Sequence, residues 1–295
     1  MHGVRRRFGA WLTRPFAGRW RKPSRPIAEA SSRPSRWRVW PPTASTRSVP
    51  WPCLHRTDQL AFEQTRAVET AYRDGTAGPL AGVPVSIKDA FHIEGLVTTV
   101  GSLARKNGMR RAEPGTVRCL RAAGAVYVGK TSTPEFSQSV TTDNLLGPDT
   151  ANPWDPSRTT GGSSGWASAS VMAASCILAP GSYGGGSIPI PAALCGLVGV
   201  KPTYGAVGEE GGFEGDSPLA CPGAVARSVA DAAVVLAVLR GDDDLTPERR
   251  DGLRVAWWAH PEDRPVDPAA SAPLADTIVS IDGLGHVVSE TRPEL

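Results

Sequence analysis

No stretch of this 295-residue chain approaches the apolar run of about 18 residues that a membrane-spanning helix needs, because Gly, Pro or a charge interrupts every candidate. That argues against a transmembrane role. Cysteine is scarce and poorly placed for bridging: Cys53, Cys119, Cys176, Cys195 and Cys221 are odd in number, widely scattered and without a CxxC pair. Neither a disulfide framework nor a zinc site is signalled. The thiols read as those of a reducing, cytoplasmic compartment, with Cys176 and Cys195 as small buried groups. Histidine is missing near both of the chain's glycine-serine loops, so imidazole is not at hand for any chemistry there.

What is present points to one large core. Apolar residues make up 40% of the chain, which exceeds the usual 100 to 200 residues of a domain. The net charge of +3 conceals an asymmetry: residues 1–50 hold eleven arginines and Lys22 against Glu29, or +11, which leaves −8 on the remainder. Four tryptophans (Trp11, Trp20, Trp37, Trp40) sit among prolines there without helical or strand period. Residues 1–53 therefore read as a disordered basic arm, with contact to nucleic acid or anionic lipid as the other reading of so much charge. Arg5-Arg6-Arg7-Phe8 resembles a twin-arginine signal, and the Arg-rich start an organellar presequence, but no apolar h-region follows. A start codon placed too early is a third account of the arm.

From residue 54 onward the pattern alternates. Apolar and small residues recur at helical spacing from Asp58 to Tyr72, and Gly82 to Asp89 reads as a strand that puts Lys88 at its end. Thr116 to Ala123 predicts a helix, Ala125 to Val128 a strand, Gly165 to Leu178 a small-residue helix and Gly196 to Val200 a strand. Ser228 to Leu239 predicts a helix with Ser228 as N-cap and Asp231 at N3. Leu253 to Trp258 reads as a strand and Pro273 to Ile281 as a helix. Short apolar strands alternating with helices argue for an α/β fold: a central mixed, largely parallel sheet covered by helices.

Three motifs compete for the chemistry. Gly124 to Thr131 satisfies GxxxxGK[ST] letter for letter. A phosphate cradle, however, needs its strand before the first glycine, whereas Ala125 to Val128 is itself the strand, and Pro134 follows where the helix should start. Gly161-Gly-Ser163-Ser-Gly165 satisfies the GxSxG elbow, but residues 155–160 are polar and turn-like, and only His260 or His286 could supply its histidine. The third constellation joins that loop to Gly184-Gly185-Gly186-Ser187, 24 residues after Ser163. A glycine run before a serine lets backbone N–H groups converge on one point, as in an oxyanion hole. With no histidine near, Lys88 at its strand end is the natural base. A flexible linker is the bland alternative for such Gly-Ser stretches, but apolar helix and strand patterns follow at once.

These residues resemble those of the amidase signature family. The likeness runs through Gly82 to Asp89, Gly95 to Thr99, Gly129-Lys130-Thr131 with Pro134-Glu-Phe136, Asn144, Asn152-Pro-Trp154, both Gly-Ser loops, Lys201 to Gly205 and Pro222 to Leu239. Residues 54–295 look like the N-terminal two-thirds of such an enzyme. The resemblance implies hydrolysis of a carboxylic amide, with Ser187 as nucleophile, Ser163 as proton shuttle after a cis peptide at Gly162, Lys88 as general base, and the amides of Gly184, Gly185, Gly186 and Ser187 as oxyanion hole. It implies no metal or organic cofactor, a small-molecule amide as substrate, no nucleic-acid partner and no membrane. A homodimer is left open. Two alternatives stand beside it: a decayed or truncated homologue without catalysis, and a glutaminase like the A component of the amidotransferases, working with partner subunits and charged tRNA. Three residues depart from the family pattern. Tyr183 stands where an aspartate is usual, Pro189 where an arginine follows the nucleophile, and Trp166 where a second glycine follows the serines, so that it must fill the pocket or displace the helix start.

Overall fold

Residues 55–108, 112–208, 220–242, 250–258 and 265–291 are described in the computed structural model. The basic arm, its boundary at residue 53 and His260 lie outside them. Two compact units divide between Thr246 and Pro247. The first runs β1 (His55–Arg56), α1 (Asp58–Arg73), β2 (Pro84–Lys88), α2 (Gly115–Ala122), β3 (Val126–Thr131), α3 (Gly165–Met172), β4 (Leu178–Tyr183), α4 (Pro189–Leu194), β5 (Val198–Val200), β6 (Cys221–Ala226) and α5 (Val229–Arg240). Its sheet has the order β1-β3-β2-β4-β6-β5. The central pairings β3–β2 and β2–β4 are parallel, and those toward the margins are antiparallel.

Strand periodicity explains how this sheet acquires a polar interior beside an apolar one. In β2 successive side chains alternate between faces. Val85 and Ile87 join a cluster with Val117 and Leu120 of α2 and with Val235 and Val238 of α5. Ser86 instead meets Ser170 of α3 at 2.8 Å, and Lys88 meets Ser163. A second cluster (Ala167, Val171, Cys176, Ala179, Ile188, Val225) gathers around α3. Helices thus contribute to two separate apolar clusters, as expected for a sheet with parallel central strands.

Helix α5 is capped as its sequence predicts: Ser228 Oγ accepts from Asp231 N at 3.1 Å, and Gly241 ends the helix with φ +75°. α1 is a surface helix, with Ala61 buried and Phe62 exposed. It docks on β3 through Thr57 Oγ1, which donates to Tyr127 O at 2.7 Å, and Gln64, which accepts from Tyr127 N at 2.8 Å. The expected helix over 165–178 is shorter. It stops at Met172, and Leu178–Tyr183 is a strand. Pro180 and Gly181 argue against a strand locally, yet six residue pairs with β6 satisfy this backbone. Burial of Cys176 and Cys195 raises both thiols, Cys195 to about 12, which leaves them protonated and inert.

The second unit is β7 (Arg254–Trp257), α6 (Pro268–Gly283) and β8 (Val287–Glu290), with β7 and β8 parallel. α6 begins at Pro268, five residues before the expected Pro273, because Asp267 caps it: its Oδ1 accepts from Ala269 N at 2.8 Å, and Pro268 takes the first position, where a missing N–H costs nothing. Among the described residues no helix is long and apolar enough to cross a membrane.

The residues that mimic a phosphate loop have another use. Gly129, Lys130 and Thr131 lie inside β3, and Lys130 Nζ sits 2.6 Å from Asp89 Oδ1, both side chains fully buried. Lys130 also donates to Val97 O at 3.0 Å and to Thr98 Oγ1, while Asp89 Oδ2 accepts from Thr99 N at 2.9 Å. The pair therefore pins the chain after β2. Lys130→Met strands a buried carboxylate, and urea unfolding should show a loss of about 3–5 kcal/mol. Adding Asp89→Asn to that variant should recover part of the loss.

Candidate active site

Two glycine-serine loops meet at the ends of β2 and β4. The first, Gly161–Gly165, opens α3, and the second, Gly184–Ser187, joins β4 to α4. A backbone bond ties them directly, Ser164 N donating to Ser187 O at 3.2 Å. Both need glycine for geometric reasons. Gly161 and Gly186 have φ of +73° and +112°, values that L side chains rarely adopt. A Cβ on Gly162 would collide with Thr141 O. Since that neighbour is backbone, Gly162→Ala should destabilise the fold by about 1–3 kcal/mol and lower any activity of the loop, as thermal melts and turnover will register.

Lys88 is fully buried at the centre of this arrangement. Its Nζ donates to Ser163 Oγ and Ser182 Oγ, each at 2.6 Å. Burial among hydroxyls holds its pKa well below the usual lysine value. Lys130, also buried, has a carboxylate to support its charge, whereas both hydroxyls that receive the Lys88 bonds are neutral. A lysine kept this way can accept a proton. The peptide bond between Gly162 and Ser163 is cis. Ser187 is half-buried on the turn before α4, and Gly184 and Gly185 are exposed beside it.

Three supporting residues carry little or no sequence signal. Ser182 is the second partner of Lys88. Thr142 Oγ1 donates to Gly161 O at 2.8 Å and accepts from Gly165 N at 3.2 Å, closing a strap across the first loop. Thr133 Oγ1 donates to Ser163 O at 3.2 Å. Ser182 shares the Gly-Ser run that leads to Ser187, which is a faint signal. Thr142 and Thr133 lie in polar loops with nothing to mark them. Asn144, one of the family-like residues, fixes Thr133 by donating to its carbonyl at 2.8 Å.

The competing motifs separate cleanly. Ser163 is reached from turn residues and not from a strand, and its hydroxyl is held by Lys88. His286 lies in the second unit, where its Nδ1 accepts from Leu253 N at 3.2 Å. Trp166 fills buried space: α3 still begins at Gly165, and the indole Nε1 has no hydrogen-bond partner among the described residues. Tyr183 packs against the cluster around α3, with Lys201 Nζ 5.4 Å from its ring centroid. Pro189 is exposed as the first residue of α4, a position that suits its ring.

The family model for Amidase matches residues 44–295. The chain belongs to the amidase family. It is 41% identical over 219 residues to the A subunit of glutamyl-tRNA(Gln) amidotransferase from Nitratidesulfovibrio vulgaris (strain DP4), covering 74% of this chain and 42% of that protein. Identity to the same protein from Moorella thermoacetica is 38% over 254 residues, 81% of this chain and 52% of that one. Among solved structures, 6-aminohexanoate cyclic dimer hydrolase superposes with a TM-score of 0.73 at 31% identity, over 85% of this amidase-family chain and 56% of that one. Peptide amidase from Stenotrophomonas maltophilia gives 0.72 at 30%, over 84% and 56%. The chain thus spans about half the length of the relatives it matches.

Proposed function

We propose that this amidase-family chain hydrolyses a carboxylic amide through an acyl-serine intermediate. The observation that carries the reading is Lys88, fully buried, with hydroxyl partners at 2.6 Å and a lowered pKa. Neutral Lys88 takes the Ser163 proton as Ser163 takes that of Ser187, and Ser187 Oγ forms a bond to the carbonyl carbon. The backbone amides of Gly184, Gly185 and Gly186 stabilise the oxyanion. As the C–N bond breaks, Ser163 passes a proton to the departing nitrogen and is reprotonated by Lys88. Water then attacks the ester along the same relay. The products are a carboxylic acid and ammonia or an amine. A small-molecule amide is the partner this requires, and a reducing cytoplasmic setting accords with the buried thiols.

A glutaminase acting with partner subunits is the second reading, favoured by 41% identity to an amidotransferase component. Ammonia release from glutamine only when partner subunits and charged tRNA are added would select it. The first reading is tested by treating the chain with a fluorophosphonate and mapping the adduct by peptide mass spectrometry, with circular dichroism to confirm folding. Label on Ser187 that disappears in Lys88→Ala is the expected result. Label on Ser163 alone, or none on a folded chain, would overturn the assignment.

A further inference from the structure

Ser163 stands on a loop with little stiffness of its own, since Gly161, Gly162 and Gly165 make up most of it. What holds the loop comes from elsewhere in the chain. Thr142, buried, spans both of its ends with one hydroxyl. Its Oγ1 donates to Gly161 O at 2.8 Å, two residues before Ser163, and accepts from Gly165 N at 3.2 Å, two residues after it. Thr160 Oγ1 also reaches Gly161 O, at 3.3 Å, but among the described residues no other side chain bonds both ends. Thr142 is itself anchored, because its carbonyl accepts from Thr150 N at 3.2 Å.

The position of Ser163 matters because its hydroxyl meets Lys88 Nζ at 2.6 Å on one side. To move protons it must also come within hydrogen-bond reach of the Ser187 hydroxyl and of the departing nitrogen. A reacting group misplaced by about 1 Å loses on the order of 10²-fold in rate. Gly161 and Gly165 are buried, so removing the Thr142 hydroxyl strands one carbonyl and one N–H, and the loop shifts to satisfy them.

We propose that Thr142 is a positioning residue for the proton relay: acting through the Gly161–Gly165 backbone, it holds Ser163 where it can protonate the departing nitrogen. This rests on the amide-hydrolase reading above. The test compares ammonia release from the best turned over of acetamide, hexanamide, benzamide and L-glutamine with p-nitrophenol release from p-nitrophenyl acetate, after subtraction of the Ser187→Ala rate. Fluorophosphonate labelling of Ser187 and circular dichroism run in parallel on the full chain. In Thr142→Val, kcat/KM on the amide should fall roughly 10- to 100-fold. The ester should lose about tenfold less, because p-nitrophenolate departs without a proton. Thr142→Ser retains both hydrogen bonds and should stay within about threefold of the parent on either substrate. Thr142→Cys, a weaker hydrogen-bonding group, should show the same split to a smaller degree, and it carries the test if Thr142→Val does not fold. Equal losses on amide and ester in a folded variant would make the hydroxyl merely structural and overturn the inference. An unchanged amide rate, or a Thr142→Ser chain as impaired as Thr142→Val, also overturns it. A parent labelled at Ser187 that releases ammonia from none of the four amides removes the relay while leaving the nucleophile standing. A folded parent that is neither labelled nor active defeats the hydrolase reading itself.

Discussion

Ser187→Ala is expected to lower kcat on any amide the chain turns over by roughly 10⁴-fold or more, with melting temperature and KM little changed. Ser187 is half-buried on a turn, and its carbonyl accepts from Ser164 N. Removing the hydroxyl therefore leaves the tie between the loops intact. Ser163→Ala differs in kind. Its Oγ is buried against Lys88 at 2.6 Å, so that variant removes the proposed relay and a hydrogen bond together. Initial rates, substrate titration and a thermal melt separate the two. Turnover retained by Ser187→Ala would remove this serine from the chemistry.

Lys88→Met should abolish turnover and fluorophosphonate labelling and remove the pH dependence of stability that this buried lysine imposes. The unfolded chain holds a proton on this lysine up to about pH 10.4. The folded chain sheds it at much lower pH, because burial penalises the ammonium. Between the two pKa values the unfolded state binds the extra proton, so stability rises with pH and is greatest above the ordinary lysine range. It falls as pH drops toward the folded value. Urea melts across pH should show a positive slope that flattens in Lys88→Met. Activity of the unsubstituted chain should fall on the acid side, where Lys88 gains a proton. A slope unchanged in Lys88→Met would mean that this lysine titrates alike in the folded and unfolded chains.

The capping of α5 by Ser228, the strand that ends at Lys88 and the surface helix α1 are all legible in the sequence, because each depends on neighbours within one or two turns. β4 is not. Its Leu-Ala-Pro-Gly-Ser-Tyr composition opposes a strand locally, and only the ladder with β6 makes it one. The start of α6 is misread because Pro273 resembles a first-turn proline, while Asp267 and Pro268 supply the actual cap. The order of strand and glycines excludes Lys130 from phosphate binding, but its buried partner Asp89 lies 41 positions away and has no local signature.

Order, spacing and local periodicity are enough to establish the α/β class, the two glycine-serine loops and the family resemblance. They do not reveal which lysine is held by neutral partners. Lys88 and Lys130 both lie in β-strands, and composition cannot tell them apart. Pairing β2 beside β3 and β4 sets Lys130 against a carboxylate and Lys88 against two hydroxyls. A lysine's pKa follows the charge and hydration around its ammonium, and those are properties of packing.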